Sequence, residues 1–418
     1  MDAPTADAGP VSAEELRTAM VERLRKSMLF SDRVATAMLK VPRHAYVPEA
    51  EPTTAYNPFE AVVTKRSAEG AALSSASAPW VVARMLHQAL PAPGARVLEV
   101  GAGTGYNAAL LAELVGPSGA VTTVDHAPET ADRARRVLAD RGNITVVHGD
   151  GAYGYAPHAP YDVITVTAGA YDVHRAWAEQ LVPGGRIVVP LQCLPWHMTV
   201  AFERGDDSVL RSVDASTAGF IPLSGIGAPT GDSVCVGIEE PLLRLHDEKA
   251  DGTLLKDALE RPPVQRWTGA VVEDEPGWNH LYLWLMAEIG DQGLCKFNLT
   301  PRGQEEKAVR VPMGWGGLAV HRGGSFAYLT NRNAAPDTTT GSPFELAFIA
   351  HGPESEELAD RLAALIRRWN DGPRSHPRPR IEAHPADTPY EQLAGHVVLD
   401  RPDHRITIVT TNPAESPG

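Results

Sequence analysis

The sequence contains few cysteines, a minority of basic residues and no long apolar run. Its three cysteines among 418 residues, Cys193, Cys235 and Cys295, are far apart and form no CxxC pair. A disulfide framework and a cysteine-based zinc site are therefore excluded, and a reducing compartment is favoured. The 52 acidic residues outnumber the 38 basic ones, for a formal net charge of −14, which argues against a nucleic-acid partner.

Signals for membrane insertion or export are also missing. No apolar run approaches the roughly 18 residues of a membrane span. The N-terminal segment MDAPTADAGP has no basic region followed by an apolar core, as a signal peptide would. We therefore expect a cytoplasmic protein with no membrane partner and no bound metal.

Length and local composition predict two domains. Residues 1–12 are rich in alanine, proline and aspartate and are expected to form a disordered tail. A first domain is predicted at residues 13–224, followed by a Gly/Pro-rich linker at 225–235. The remaining residues, 236–418, mix β-like runs such as 281–288 with an amphipathic helix and predict an α+β accessory domain that binds substrate.

The first domain begins with predicted helices and continues as an α/β alternation. Ser12 followed three residues later by Glu15 is a capping box, which predicts the first helix. Residues 52–78 show no apolar period and are predicted to be a long loop. From Arg96 onward, strands joined by helices predict a doubly wound parallel sheet. The predicted strands are 97–100, 120–124, 144–148, 161–167 and 186–190.

A glycine-rich segment follows the first of these strands. In Glu99-Val-Gly101-Ala-Gly103-Thr-Gly105, glycines allow a sharp turn and let backbone N–H groups approach a ligand. Asp125 ends the second strand 20 residues after Gly105, and Asp150-Gly151 ends the third. Each acid alone could cap a helix or turn. Together at one edge of a sheet, they predict a cofactor site.

Two cofactor classes use such a site. The dinucleotide fingerprint needs GxGxxG, whereas the GxGxG found here is followed by Asn107 and Ala108. Glu99 would be unfavourable next to a pyrophosphate and suitable near the cationic amine or sulfonium of a methionine group. The pattern therefore favours S-adenosyl-L-methionine.

Further motifs resemble the protein-L-isoaspartate O-methyltransferase family, in family order over about residues 14–224. The resemblance implies a Rossmann-like class I methyltransferase fold that esterifies a carboxylate with S-adenosyl-L-methionine as cofactor. The motifs are VPRHAYVP at 41–48, SAP at 77–79, VLEVGAGTGY at 97–106, GDG at 149–151, APYD at 159–162 and FIPL at 220–223.

The resemblance also implies roles for individual residues. Ser77 takes the position of the family's active-site serine, and its alternative role is to cap the helix beginning near Pro79. Ser75 and Ala76 replace the family's threonine and isoleucine before this serine, so the acceptor pocket is expected to differ. The cofactor-binding residues would be Glu99, Gly101, Gly103, Gly105, Asp125, His126, Asp150 and Gly151.

Three functions stay open. Relatives with an added C-terminal domain resemble enzymes that methylate an aspartate in a ribosomally synthesised, modified and cyclised precursor peptide, a lanthipeptide or graspetide, which leads to succinimide or isoaspartate. That is the leading hypothesis. The alternative is repair of isoaspartyl-containing proteins, and the third is a non-catalytic peptide-binding scaffold. Aromatic residues that could grip a peptide, although core packing is favoured, are Trp278, Tyr282, Trp284 and Trp315.

Overall fold

The computed structural model describes most of the chain, which forms two compact units. The described residues are 11–66, 72–193, 195–221, 234–237, 241–247, 249–273, 275–310, 316–334, 343–395 and 397–410. The first ten residues of the predicted tail at 1–12, the linker residues 225–233 and Trp315 lie outside these ranges. One unit comprises Met1–Leu191, Thr199–Leu210 and Ala218–Ala228, and the other comprises Gln192–Met198, Arg211–Thr217 and Pro229–Gly418. The domain boundary near residue 224 stays a prediction.

The helices and strands are numbered in chain order within the described residues. The helices are α1 (Ala13–Ser27), α2 (Asp32–Lys40), α3 (Pro52–Ala55), α4 (Pro79–Ala89), α5 (Tyr106–Val115), α6 (Pro128–Val137), α7 (Arg175–Gln180), α8 (Gly252–Leu255), α9 (Glu275–Ile289), α10 (Pro301–Glu305) and α11 (Ser355–Asp371). The strands are β1 (Val62–Arg66), β2 (Ala72–Ala76), β3 (Arg96–Val100), β4 (Ala120–Asp125), β5 (Ile144–His148), β6 (Tyr161–Val166), β7 (Leu181–Cys193), β8 (Trp196–Arg204), β9 (Leu210–Thr217), β10 (Val234–Val236), β11 (Leu243–His246), β12 (Val264–Val272), β13 (Leu294–Leu299), β14 (Gly316–Arg322), β15 (Ser325–Asn333), β16 (Phe344–His351), β17 (Arg380–Pro385), β18 (Val397–Asp400) and β19 (His404–Val409).

The first unit is built on a parallel sheet with strand order β7-β6-β3-β4-β5. All four pairings, β3 with β4, β3 with β6, β4 with β5 and β6 with β7, are parallel. The chain reverses its direction of winding between β3 and β6, which is the switch point where doubly wound sheets bind ligands. The predicted Rossmann-like α/β fold is confirmed.

Helices α1, α2, α4 and α5 share the apolar core of this unit. The capping box predicted for α1 is confirmed, because the Ser12 hydroxyl accepts from the Glu15 amide at 3.2 Å while Glu15 Oε2 accepts from the Ser12 amide at 2.8 Å. In α1, the buried face consists of Met20, Val21 and Leu24.

The prediction of a long loop at residues 52–78 is wrong. This segment contains α3 and the antiparallel hairpin β1–β2, in which Val62 is opposite Ala76. The hairpin buries few side chains, since its small core contains only Val47, Ala55, Val62 and Ala76 among the buried residues. So few apolar positions produce no readable period, although the backbone pairs as strands.

The second unit contains an antiparallel sheet of order β10-β11-β13-β14-β15-β16-β12, against which α11 packs at β12, β15 and β16. Strand β19 pairs antiparallel with both β17 and β18. The predicted α+β character is confirmed. The prediction of a strand at residues 281–288 is wrong. That run belongs to α9, whose apolar residues occur on nearly every side and so give no helical period.

Of the aromatic residues of α9, Trp284 belongs to the core, whereas Trp278 and Tyr282 are half-buried. Trp284 is buried with the guanidinium of Arg368 5.2 Å above its ring, and Trp278 stacks on Tyr282 at 6.1 Å. Across the described ranges, none of the helices has the length and apolar character that a bilayer span requires.

Candidate functional site

A cleft of about 700 Å³ opens in the first unit beside the carboxyl ends of β3, β4 and β6. Parallel strands place these ends at one edge of the sheet, where the chain leaves each strand with its polar groups exposed to a ligand. The sequence-predicted residues that line the cleft are Ser77, Gly101, Gly103, Asp125, His126 and Gly151. Glu99, Gly105 and Asp150 are not among the described lining residues.

The glycines after β3 differ in what they permit. Gly101 has φ +99°, and a Cβ there would lie 2.4 Å from the Thr167 hydroxyl, so this position admits only glycine. Gly103 has φ +50°, and a Cβ there would meet no atom of the described residues within 4 Å beyond its chain neighbours. Gly105 caps α5 at φ +83°, and its missing Cβ makes room for Leu138. Gly101 and Gly103 therefore shape the cleft, and Gly105 serves the packing of α5.

Asp125 joins two segments at the cleft edge. Its Oδ2 accepts from the Gly103 amide and its Oδ1 from the Ala127 amide, both at 3.0 Å. Each oxygen retains acceptor capacity, and the side chain is half-buried. Open space beside Gly103 and a carboxylate fixed next to it suit a nucleoside with paired ribose hydroxyls, so the residues present fit the expected cofactor. The adjacent His126 is exposed.

Glu99 supports the glycine loop from inside the fold. It is fully buried, and its carboxylate accepts from Asn107 Nδ2 at 2.8 Å and from the Thr123 hydroxyl at 2.5 Å. Burial, together with a smaller effect of the Asp125 charge, raises the pKa of Glu99 to about 7 against the opposing effect of these two hydrogen bonds. The implied contact of Glu99 with the methionine end stays a prediction.

Asp150 and Gly151 have separate roles. Asp150 Oδ1 accepts from the Ala152 amide at 2.9 Å, which makes Asp150 the N-cap of a 3₁₀ turn. Gly151 lines the cleft, and a Cβ there would lie 2.5 Å from Val100 Cγ1. Its carbonyl accepts from Trp177 Nε1 at 2.8 Å. The side chain of Asp150 thus orients the turn that brings Gly151 to the cleft.

Ser77 lies between β2 and α4 on the cleft wall and is half-buried. The alternative role as helix cap is wrong, because the N-cap of α4 is Ala78 and no side chain caps it. No residue in the described ranges hydrogen-bonds the Ser77 hydroxyl, whereas its carbonyl accepts from Arg43 Nη2 at 2.8 Å. The hydroxyl is therefore available to a ligand.

Sequence reasoning missed several cleft residues. Thr167 follows β6, where its hydroxyl donates to the Gly101 carbonyl at 2.8 Å. The rule that identified Asp125, a polar residue at a strand end, could have found it. Ile221 reaches the cleft because its carbonyl accepts from the Gly169 amide at 2.8 Å. Phe59 and Trp80 also line the cleft, but no signal in the sequence marks them.

The cleft carries little free positive charge. Lys65 on β1 is the one lysine or arginine among its described lining residues, and it is paired with Glu129 at the start of α6. This hydrogen bond lowers the pKa of Glu129. Within the described ranges, no group of His, Cys, Asp and Glu is arranged to hold a metal ion. The lining of the cleft therefore offers a ligand mainly hydroxyl and amide groups rather than net positive charge.

Comparison with known proteins agrees with this geometry. The family model described as protein-L-isoaspartate(D-aspartate) O-methyltransferase matches residues 15–227. A protein-L-isoaspartate O-methyltransferase of Methanopyrus kandleri is 44% identical over 213 residues, which cover 50% of this chain and 91% of that protein. One from Archaeoglobus fulgidus is 40% identical over 215 residues, covering 51% and 94%. A solved structure entitled protein-L-isoaspartate O-methyltransferase overlays with a TM-score of 0.48 at 23% identity, covering 88% of this chain and 96% of that one.

The matched region coincides with the part of the chain that carries the parallel sheet and the cleft. The glycine loop, Asp125 and Ser77 all lie inside it. The enzyme is an S-adenosyl-L-methionine-dependent carboxyl methyltransferase, and the chain belongs to the protein-L-isoaspartate(D-aspartate) O-methyltransferase family.

Proposed function

We propose that the chain methylates the free carboxylate of isoaspartyl residues in protein or peptide substrates. The observation that carries this proposal is the shared cleft, lined both by the Asp125–Gly103 pair and by a Ser77 hydroxyl that no described residue hydrogen-bonds. A cofactor bound at Asp125 and a carboxylate bound at Ser77 would therefore meet within it. Residues matched by the family model support the same assignment.

The residues of the cleft would promote methyl transfer by binding the cofactor and orienting the acceptor carboxylate. When bound, S-adenosyl-L-methionine supplies an electrophilic methyl group on a sulfonium. Asp125 would hold the ribose hydroxyls, and the backbone at Gly101 and Gly103 would lie against the cofactor. A Ser77 hydroxyl that donates to one carboxylate oxygen leaves another lone pair free to attack. This attack gains most from holding oxygen, methyl carbon and sulfur in line.

No general base is needed for this reaction. A carboxylate with a reference pKa of about 3.9 is already ionised at neutral pH. The ester that forms is activated, so the following backbone amide can close a succinimide with loss of methanol. Hydrolysis of the succinimide then gives aspartate or isoaspartate, which is the chemistry of repair.

A second candidate substrate is an ordinary aspartate in a modified, cyclised precursor peptide. The observation that favours it is the second unit, most of which follows the matched region and contains an apolar core of its own. Such a unit could hold a constrained peptide. Under this candidate, the second unit recognises the substrate and the cleft performs the same transfer.

One assay separates these functions. The full chain is incubated with methyl-labelled S-adenosyl-L-methionine and three acceptors: a linear isoaspartyl peptide, its aspartyl counterpart and a cyclised aspartyl precursor peptide. Base-labile methyl esters are then counted, with Asp125→Ala as the inactive control. Esterification of the isoaspartyl peptide, but not of its aspartyl counterpart, is the expected result. Turnover of the cyclised peptide alone would favour the second candidate, and cofactor binding without any ester would favour a scaffold.

A further inference from the structure

We infer that Arg43 is a positioning residue for methyl transfer, because its buried guanidinium fixes the backbone that carries Ser77. The inference rests on the proposed role of Ser77. It assigns a role in methyl transfer to Arg43, whose side chain does not line the cleft. Arg43 lies in a 3₁₀ turn, Arg43–Tyr46, and is fully buried. The turn belongs to the VPRHAYVP segment, for which the cleft itself provides no role.

The guanidinium of Arg43 connects two segments through backbone carbonyls. Its Nε donates to the Ala55 carbonyl at 2.8 Å, at the end of α3. Its Nη2 donates to the carbonyls of Ser77 at 2.8 Å and Ala76 at 3.2 Å, at the end of β2. Carbonyl contacts in two directions use the planar fork of arginine, which a lysine ammonium does not reproduce.

The guanidinium also meets an aromatic ring next to the glycine loop. Its central carbon lies 5.0 Å from the ring centroid of Tyr106, the residue that follows Gly105. In the described part of the chain, Arg43 pairs with no carboxylate, so carbonyl dipoles and this ring face its charge. Burial lowers the pKa of Arg43, yet an arginine side chain stays protonated in proteins. The Arg43 guanidinium thus keeps its full positive charge in the protein interior without an ion pair to any described carboxylate.

Fixing the Ser77 carbonyl also limits where the Ser77 hydroxyl can be. The carbonyl and the side chain branch from one Cα, so a held peptide plane leaves the hydroxyl only its staggered χ1 positions. The preceding carbonyl, that of Ala76, is held by the same nitrogen. Two residues after Ser77, Pro79 begins α4. The Ser77 hydroxyl therefore lies on a short segment that is restrained on its N-terminal side by the hydrogen bonds of Arg43 and on its C-terminal side by helix α4.

The test uses Arg43→Lys in the full chain, with Arg33→Lys as a control for the loss of arginine–carbonyl hydrogen bonds at an exposed position. Arg33 also donates to two backbone carbonyls, those of Pro91 at 2.8 Å and Leu114 at 2.9 Å, but neither lines the cleft. Three quantities are measured: kcat and KM for a linear isoaspartyl peptide, the Kd for S-adenosyl-L-methionine, and amide hydrogen exchange across residues 76–82. Arg43→Ala with added methylguanidinium provides a second variant.

For Arg43→Lys we expect kcat to fall about 10- to 100-fold, the range that misplacement by about 1 Å produces. The Kd for the cofactor should stay within about twofold, and exchange across 76–82 should accelerate. Methylguanidinium should restore part of the kcat of Arg43→Ala, and Arg33→Lys should change none of these quantities. Unchanged kcat, or parallel loss of kcat, cofactor affinity and folded fraction, would overturn the inference. Failure of the wild-type chain to esterify the peptide would refute the proposed function instead, and the exchange measurement would still decide whether Arg43 holds the Ser77 segment.

Discussion

The backbone amide of Gly103 donates a hydrogen bond of 3.0 Å to Oδ2 of Asp125, which joins the glycine loop after β3 to the acid that ends β4. The other oxygen of the same carboxylate accepts from Ala127, just before α6. One side chain therefore aligns two segments of the cleft edge, and both of its oxygens keep capacity for ligand hydroxyls. Loss of this carboxylate should weaken cofactor binding more than it weakens the fold.

Asp125→Ala should reduce the affinity for S-adenosyl-L-methionine by about 100-fold or more, because hydrogen bonds to a charged group contribute about 1.5–3 kcal/mol each and 1.4 kcal/mol is tenfold. Titration calorimetry measures this change. Asp162→Ala is the control, since Asp162 also accepts a backbone amide, that of Arg96 at 2.8 Å, but does not line the cleft. Equal losses of affinity in both variants would show that Asp125 acts through the fold alone.

Gly103→Ala tests whether the bound cofactor occupies the open space beside the glycine loop. Apart from its chain neighbours, the methyl group would meet no described atom within 4 Å, and the same is true at Gly116, which ends α5 at φ +68°. Gly103→Ala should cost roughly 1–2 kcal/mol of stability through its positive φ, and Gly116→Ala roughly 1–3 kcal/mol, because Gly116 combines φ +68° with ψ −173°, a region essentially confined to glycine. Only Gly103→Ala should also raise the Kd for the cofactor, about tenfold. If the two variants bind the cofactor equally well, the space next to Gly103 is not part of the binding site.

The sequence predicts the parallel sheet well because its strands include short apolar runs, and β3, β4 and β5 end at or are followed by glycine or an acidic residue. Glu99 shows where such reasoning stops: its contact with a ligand stays a prediction from the motif, and its hydrogen bonds to Asn107 and Thr123 were not predicted. The side of a strand on which a side chain lies depends on tertiary packing, which a motif does not encode. Similarly, the hairpin β1–β2 and helix α9 lack a readable period, one because it buries too little and the other because it is buried all round.

Ser77→Ala should leave cofactor affinity within about twofold and slow methyl transfer about tenfold or more, since one oriented hydrogen bond to the acceptor is lost. Single-turnover rates with saturating cofactor measure the transfer, and calorimetry measures binding. Ser31→Ala is a suitable control, because the Ser31 hydroxyl caps α2 and should affect stability by about 1 kcal/mol without changing the rate. Loss of cofactor binding in Ser77→Ala would contradict the acceptor role.

Glu99→Gln should stabilise the first unit at pH 8 and have little effect at pH 5. The pKa of Glu99 is raised to about 7 in the folded chain from its ordinary 4.5, so stability is highest below 4.5 and falls as the pH rises to 7. The free energy of unfolding should therefore fall by about 3 kcal/mol over this pH range, at about 1.4 kcal/mol per pKa unit. Glutamine keeps both contacts, because its oxygen accepts from Asn107 and its amide donates to a rotated Thr123 hydroxyl. Protection factors of β3 and β4 amides, measured without cofactor, would show a difference that grows with pH; a constant difference would refute the argument.

His351→Phe should remove an acid sensitivity of the second unit. His351 ends β16 almost fully buried, stacked on Phe326 at 5.3 Å and Tyr328 at 6.0 Å, and neither ring nitrogen has a partner in the described structure. Burial lowers the pKa of His351 from 6.5 to about 4. The unfolded chain therefore binds this proton first, so the wild-type unit loses up to about 3 kcal/mol as the pH falls from 6.5 to 4 and little more below that.

Phenylalanine preserves the ring stack and cannot be protonated, so the loss attributable to this site should disappear in the variant. Protection factors of β15 and β16 amides between pH 4 and 7 measure it. His376→Phe is the control, because His376 is only half-buried and its Nδ1 contacts the Gly372 carbonyl at 3.0 Å. An unchanged pH profile in His351→Phe, or an equal flattening in His376→Phe, would show that other groups cause the acid sensitivity of this unit.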